Sequence, residues 1–498
     1  MTGVVRVDAA ADLDVAAMLQ VVDGARVVLG KALVDGLRAN RDAALARLTS
    51  GRPVYGVTTG MGAASEVRLD EFARSRHQDH LMVGRSVGSA PWLDAREARA
   101  AVVFRLRDFL SPEAAVSPEL CVRLVEMLGR GLTPAIPATG LGAAGEIISL
   151  AHLGGLVTGL GDAIVDGDAV PAADALAAAG LAPYALGPKE GVAMIEGVPV
   201  TTARAALIAR SARAVLHQGT ASLAASLVVA GANLDPFDAR VARADPDLDA
   251  VLGAVRALVG ARPTARGLQA PLSFRVAAPA LAHLARAIDA VDAAVVRAVD
   301  GVTDSPAFLD GDFVGTAGFD GFDLAAGLDG LRLALTRVAE TSASRLHRLL
   351  DDRVTGLPRQ LSARPGLDAG MVTVHKRAVG VVHAMLRASG PASLGAIETS
   401  LGQEDVQSFS LEAAQACREA VRATTEVMAC ELLAIVQATR LVGDGRLAGM
   451  SGALTSLLDG VTAAVPPGTD DRPFGRDVSA VVGLLDGGWA SPGDQPRR

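Results

Sequence analysis

"PATGLGAAGEIISLAHLGG", from Pro137 to Gly155, carries Gly140, Gly142 and Gly145 in the spacing G-x-G-x-x-G. A dinucleotide-binding turn shares that spacing. It also needs a preceding strand, a βαβ unit and an acidic residue about 20 positions further on. The residues upstream, "RGLTPAIPATG", hold two prolines and no β-branched run, which makes a poor central strand. No alternation of strands and helices follows. The simpler reading is a Gly-rich turn feeding a helix that starts near "EIISLAHLGG", with Glu146 favoured in its first turn by the helix dipole.

Outward from this stretch the pattern is helical. "PALAHLARAIDAVDAAVVRAV" (279–299), 324–352 and 410–442 place apolar residues three and four apart, with charges on the other face. A thirty-residue helix is about 45 Å long, a length typical of bundles. Gly- and Pro-bearing loops interrupt the helices at 51–62, 131–146, 183–199, 262–275, 301–321 and 354–371. The 498 residues divide into a loop-rich helical region (1–200), a long-helix bundle (201–460) and a C-terminal segment (461–498) with a frayed tail.

Composition narrows the function. Half the residues are hydrophobic but only 3% are aromatic, so Ala, Leu and Val build the core. A net charge of −8 without a basic stripe argues against nucleic acid or an anionic membrane as partner. The three cysteines, Cys121, Cys417 and Cys430, lack C-x-x-C spacing and point to a reducing compartment. The acidic N-terminus is not a signal peptide, and no apolar run reaches the ~18 residues of a membrane span. A cytoplasmic protein is expected. No His/Asp/Glu spacing predicts a metal site.

Six segments in order carry a resemblance. "VYGVTTGMG" (54–62), "TGLGAAGEIISLAH" (139–152), "LGPKEGVAMIEGVPVTTA" (186–203), "LQAPLSFRVAAP" (268–279), "VDGVTDSPAF" (299–308) and "TSLGQEDVQSFS" (399–410) resemble motifs of the aromatic amino acid lyase family, which includes histidine and phenylalanine ammonia-lyases. The resemblance implies a mainly α, long-helix bundle of the histidine ammonia-lyase/fumarase-like type. It also implies a homotetramer whose pockets are lined by loops from several chains.

In that family an Ala-Ser-Gly triad cyclises to methylidene-imidazolone (MIO), an electrophile that makes ammonia loss possible. Here the triad is Ala143-Ala144-Gly145. Ala144 has no hydroxyl to eliminate, so the methylidene carbon cannot form and no MIO cofactor is expected. Further departures fall where the family lines its pocket. Leu272 replaces a tyrosine, Glu196 an asparagine and Arg85 a histidine. In "GFDG", Gly318 and Asp320 flank Phe319 in place of Asn and His.

The resemblance assigns roles to what remains. Tyr55 matches the tyrosine that takes the substrate's β-proton, which requires neighbouring positive charge or dipoles to lower its pKa. Arg275 matches a carboxylate-binding arginine, whose guanidinium fits a carboxylate with two parallel bonds. Glu404 and Gln403 lie in the retained "GQED", where Glu404 accepts a proton, holds a cation or pairs with Lys376. Lys376, beside His375 in "MVTVHKRAV", is either a pocket residue or a lysine at a helix edge. Arg85 and Glu196 are candidates for specificity, with Asp320, Phe319 and Leu272 beside them. His152 is read as a core or capping histidine.

Without the electrophile the leaving group must depart unaided. The ergothionase branch of the family does this by expelling trimethylamine from ergothioneine. The expected substrate is therefore a carboxylated zwitterion. A cofactor-free dehydratase, isomerase or cyclase, and a catalytically dead ligand binder, are the alternatives.

Overall fold

The computed structural model describes residues 3–261, 265–395 and 397–490. The last part of the 461–498 segment, where fraying is expected, lies outside the described residues. Helices dominate, and the strands form three two-stranded sheets among the described residues. One pairs Val4–Val7 with Arg26–Leu29 in parallel, and the other two are short hairpins.

The chain does not divide at 200 and 460. One compact unit comprises 1–207, 291–329 and 391–415, and the other 208–290, 330–390 and 416–498. Four of the five boundaries fall inside long helices: Pro199–Ala230, Ala277–Asp300, Phe322–Leu349 and Ser410–Leu441. A continuous helix carries the chain on without any Pro/Gly-rich linker, so composition leaves no mark of the division. Three of these helices match the expected periodic stretches. The fourth, Pro199–Ala230, is new. Most of its residues are buried, polar Arg204 and Gln218 among them, so no continuous polar face betrays it. Its segment is also long and apolar enough to cross a membrane, but 94% of the most apolar window is buried inside the protein, as in a core helix.

In the first unit, Glu71–Arg85, Ile147–Thr158 and Glu190–Ile195 pack on one another at close range. Glycines permit this. A Cβ on Gly154 would lie 2.2 Å from Met82 Sδ and 2.6 Å from Met194 Cγ. A Cβ on Gly191 would lie 2.4 Å from the Gln78 carbonyl oxygen. Buried Gln78 ties the arrangement further. Its Oε1 accepts from the backbone N–H groups of Gly191 (2.9 Å) and Val192 (3.2 Å), and its Nε2 donates to the Gly56 carbonyl (3.1 Å).

Glu146 sits at the N-cap position of Ile147–Thr158, but its carboxylate serves a different helix. It accepts from Val200 N (2.7 Å) and Thr201 N (2.6 Å) at the start of Pro199–Ala230. Those are two of the N–H groups a helix start leaves unpaired, and the helix dipole favours an anion there. In the second unit, buried Glu431 is saturated by Ser226, Ser342 and a two-pronged bond from Arg345.

Gly191→Ala is expected to destabilise the protein by about 1–3 kcal/mol, because the new methyl meets backbone that has no rotamer to change. Gly129→Ala, with open space around its Cβ, is expected to be neutral or slightly stabilising. Chemical denaturation midpoints of the two variants check the contrast.

Candidate active site

The helix packing in the first unit fixes where its chain ends point. Arg85 closes Glu71–Arg85, Glu196 follows Glu190–Ile195, and the Ala143-Ala144-Gly145 loop precedes Ile147–Thr158. The 51–62 loop joins them through Gln78. Gly56 has φ +66°, and a Cβ there would meet Val192 Cγ2 at 2.8 Å. This left-handed turn presents the Tyr55 hydroxyl to Gly62, whose N–H donates to it at 2.8 Å.

The triad loop is held by other segments of the same unit. Ala144 N donates to Glu404 Oε2 at 3.4 Å, and Thr399 Oγ1 donates to the same oxygen at 2.6 Å. Gly145 has φ +66°, and a Cβ there would stand 3.2 Å from the Phe319 carbonyl oxygen. Phe319 thus packs against the triad, and the Ser408 hydroxyl donates to the Asp320 carbonyl to hold it there.

Four ionisable groups interact in this unit: Tyr55, Arg85, Glu196 and Glu404. Burial raises the Tyr55 phenol above its ordinary range. The Gly62 N–H and Arg85 pull it down, while Glu196 and Glu404 push it up. The lowered phenol expected of a resting base is therefore not what the site provides. Burial also depresses Arg85, against the pull of Tyr55, Glu196 and Glu404. Glu196 departs most from expectation. Burial, then the charge of Asp304, pushes its carboxyl up to about 8, against Lys189, Arg105 and Arg85. It is a neutral acid at neutral pH rather than a standing anion. Its carboxyl has no hydrogen-bond partner among the described residues.

The remaining expected site residues make other contacts. Asp320 is a helix-start residue, its carboxylate accepting from Phe322 N at 3.2 Å. Gln403 is exposed in the 399–404 turn. Arg275 and Leu272 belong to the second unit. Arg275 donates to Gln269 Oε1 at 3.0 Å and has no carboxylate partner among the described residues, and Leu272 is 63% exposed. Leu272 borders a cavity of about 500 Å³ with Arg337, Glu340, His347 and Arg348. Lys376 is exposed on Val372–Arg387, also in the second unit, without an ion pair among the described residues. Its neighbour His375 stacks on His347 with ring centroids 4.6 Å apart. Helical periodicity located the Lys376 helix but not which face is covered. His152 is a core histidine as expected: buried, its Nε2 accepts from Gly88 N at 3.1 Å. Among the described residues no three His, Cys, Asp or Glu side chains gather as a metal site.

A Tyr-bearing Gly loop and an A-x-G turn lie in one unit of a mainly helical chain, and comparison with known proteins identifies the class. The family model described as aromatic amino acid lyase matches residues 13–461, so the chain belongs to that family. It is 32% identical to a histidine ammonia-lyase of Gloeobacter violaceus, covering 93% of this chain and 92% of that one. It is 30% identical to another of Aromatoleum aromaticum, covering 88% and 85%. Among solved structures, a tyrosine aminomutase from Streptomyces globisporus superposes with a TM-score of 0.92 at 26% identity, covering 98% and 97%. The ergothioneine-degrading enzyme ergothionase of Treponema denticola superposes at 0.89 and 21% identity, covering 96% and 97%, which shows a shared fold.

The raised carboxyls carry a pH signature. Burial lifts Glu146 to about 7, against its bonds to Thr201 and Val200, and Glu196 to about 8, from an ordinary 4.5. Between those values the folded chain binds more protons than the unfolded one. Stability is then fully present below about 4.5 and falls as pH rises towards 8. Glu196→Gln is expected to flatten the decline of the thermal midpoint between about pH 5 and 8, measured by differential scanning fluorimetry. An unchanged slope would remove Glu196 from it.

Proposed function

We propose that this chain is a lyase that works without MIO, eliminating a trimethylammonium group from a carboxylated zwitterion in an ergothionase-like reaction. One observation carries the reading: the triad loop keeps its left-handed glycine, its Glu404 contact and its Phe319 packing, yet presents a methyl group at Ala144 where the cyclisation needs a hydroxyl. The turn is maintained while the electrophile is dispensed with.

The chemistry then follows from the leaving group. Tyr55 takes the β-proton, the C–H electrons form the new C=C bond, and the C–N pair leaves with neutral trimethylamine. A quaternary ammonium needs no activation, because it cannot revert to a bound amine. The acidic surroundings support a cationic substrate. In the empty protein the Tyr55 phenol is held protonated by burial, with the Glu404 charge adding to it. A bound cation offsets that charge and favours the phenolate, so the base forms when its substrate arrives. In a pocket shared between chains, Arg275 is assigned to the substrate carboxylate from a neighbouring chain, since its guanidinium is neutralised by no carboxylate among the described residues. Arg85 is assigned to the polar ring end.

The same reading takes the active form as a homotetramer with pockets shared between chains. Leu401 is 95% exposed, Ile397 73% and Val406 67% in one loop, and Leu268 is 86% exposed beside Gln269. Apolar surface of this kind is what an oligomer covers.

Purified protein is expected to release trimethylamine from ergothioneine, and Tyr55→Phe to lower the rate by about 100-fold or more. An ammonia-yielding reaction on histidine at the rate of its relatives, with no trimethylamine from ergothioneine, would overturn the reading. Equal rates for Tyr55→Phe and the parent would remove the phenol from the mechanism.

A further inference from the structure

Positive charge collects on one side of the Tyr55 loop. A cavity of about 140 Å³ there is lined by Thr49, Gly51, Arg52, Thr58, Arg68 and Arg74, with no acidic side chain in its wall. All of these residues belong to the first unit. The volume is well below the roughly 300 Å³ at which pockets for drug-sized ligands begin, and well above what one water needs. It suits a small ion, or one group of a larger molecule. Gly51, with φ +81° and nothing within 4 Å of where a Cβ would stand, leaves its edge open.

Three guanidinium groups around one space repel one another unless an anion neutralises them. The chain supplies little of that charge. Arg52 donates to Asp312 Oδ2 at 3.2 Å, but Arg47 shares the same carboxylate at 2.5 Å. Arg74 Nε donates to the Leu69 carbonyl at 2.8 Å, and neither Arg74 nor Arg68 has a carboxylate partner among the described residues. Asp70 is committed elsewhere, its carboxylate accepting from Ala73 N at 2.7 Å. The end of the Lys31–Leu48 helix borders the cavity and opposes an anion, but with about half a charge against three whole ones.

The wall also grips the Tyr55 loop from both ends. Arg52 stands three positions before Tyr55 and Thr58 three after it. Thr58 is buried, and its Oγ1 accepts from Val54 N at 2.8 Å. Leu69 N donates to the Thr58 carbonyl at 3.0 Å and Gly60 N to the Val67 carbonyl at 2.9 Å, which brings Arg68 back opposite Thr59. Arg74 follows on the Glu71–Arg85 helix.

We infer that this cavity is a binding site for a phosphate group, which links the three arginines and so stiffens the Tyr55 loop. A guanidinium meets a tetrahedral oxyanion with paired bonds, and three of them favour a multiply charged anion over chloride. The phosphate is either free or the end group of a small phosphorylated metabolite. The site is independent of the substrate and of the reaction proposed above.

The test uses the full chain without substrate. Isothermal titration with inorganic phosphate, at an ionic strength held constant with sodium chloride, is expected to show one phosphate bound per chain. Arg68→Gln and Arg74→Gln should each weaken binding by about 5-fold or more, a charge-assisted bond discounted for its exposure. Arg240→Gln, which removes an exposed arginine of the second unit, should leave it unchanged. Phosphate should also slow hydrogen exchange at the Gly60 and Leu69 amides of the parent but not of Arg68→Gln. Adenosine monophosphate separates the two sources. Tighter binding than phosphate assigns the group to a larger ligand, and equal or weaker binding assigns it to free phosphate, the site standing in both cases. No binding beyond that of chloride, or binding undiminished in both variants, overturns the inference. Phosphate that binds without slowing exchange at those amides overturns the link to the Tyr55 loop. Failure of trimethylamine release would leave these results intact, since no substrate is present.

Discussion

The Glu146 carboxylate at the start of the Pro199–Ala230 helix is the contact on which the site's arrangement depends. It joins the end of the Gly-rich loop to the first turn of a core helix through two short hydrogen bonds. With that end fixed, Gly145 keeps its left-handed turn against Phe319, and Ala144 keeps its N–H towards Glu404. None of these contacts uses a side chain at position 144. The loop therefore holds its shape whether that residue carries a hydroxyl or a methyl, and the loss of one oxygen changes the chemistry without changing the fold.

The residues around the loop form a consistent electrostatic setting. A phenol is held protonated, and Glu196 is held neutral by burial and by the Asp304 charge behind it. Such a site is poorly disposed towards a bare anion at its acidic end. It ionises most easily when a cation enters, because each nearby group then gains by releasing a proton. On the proposed reading, proton release and cation binding are coupled at this site.

Much of this was legible in the sequence, and the rest was hidden for physical reasons. The six segments gave the family because each carries a rare order of Gly, Tyr, Arg and Glu. Tyr55, Glu196, Arg85 and the 143–145 triad fall in one unit. Gln78 was missed because one glutamine in a polar helix gives no periodic signal, although its amide ties two loops together. Lys189 and Asp304 were quoted within motifs, but spacing in a sequence does not show a buried pair 115 residues apart. The choice between the two readings of Lys376 could not be made from the sequence, because helical phase tells which residues share a face, not which face is covered; in the folded chain Lys376 is exposed. The protonation of Glu196 was invisible, since burial and the Asp304 charge exist only in the folded chain. The discontinuous units were hidden because the helices that pass from one to the other carry no linker composition.

The central claim is that the loop carries no electrophile. Mass spectrometry of the peptide spanning residues 139–152, taken from purified protein with and without prior cyanide treatment, tests it most directly. The account predicts the encoded mass in both samples. A peptide lighter by two waters, or one that gains a cyanide adduct, would contradict it.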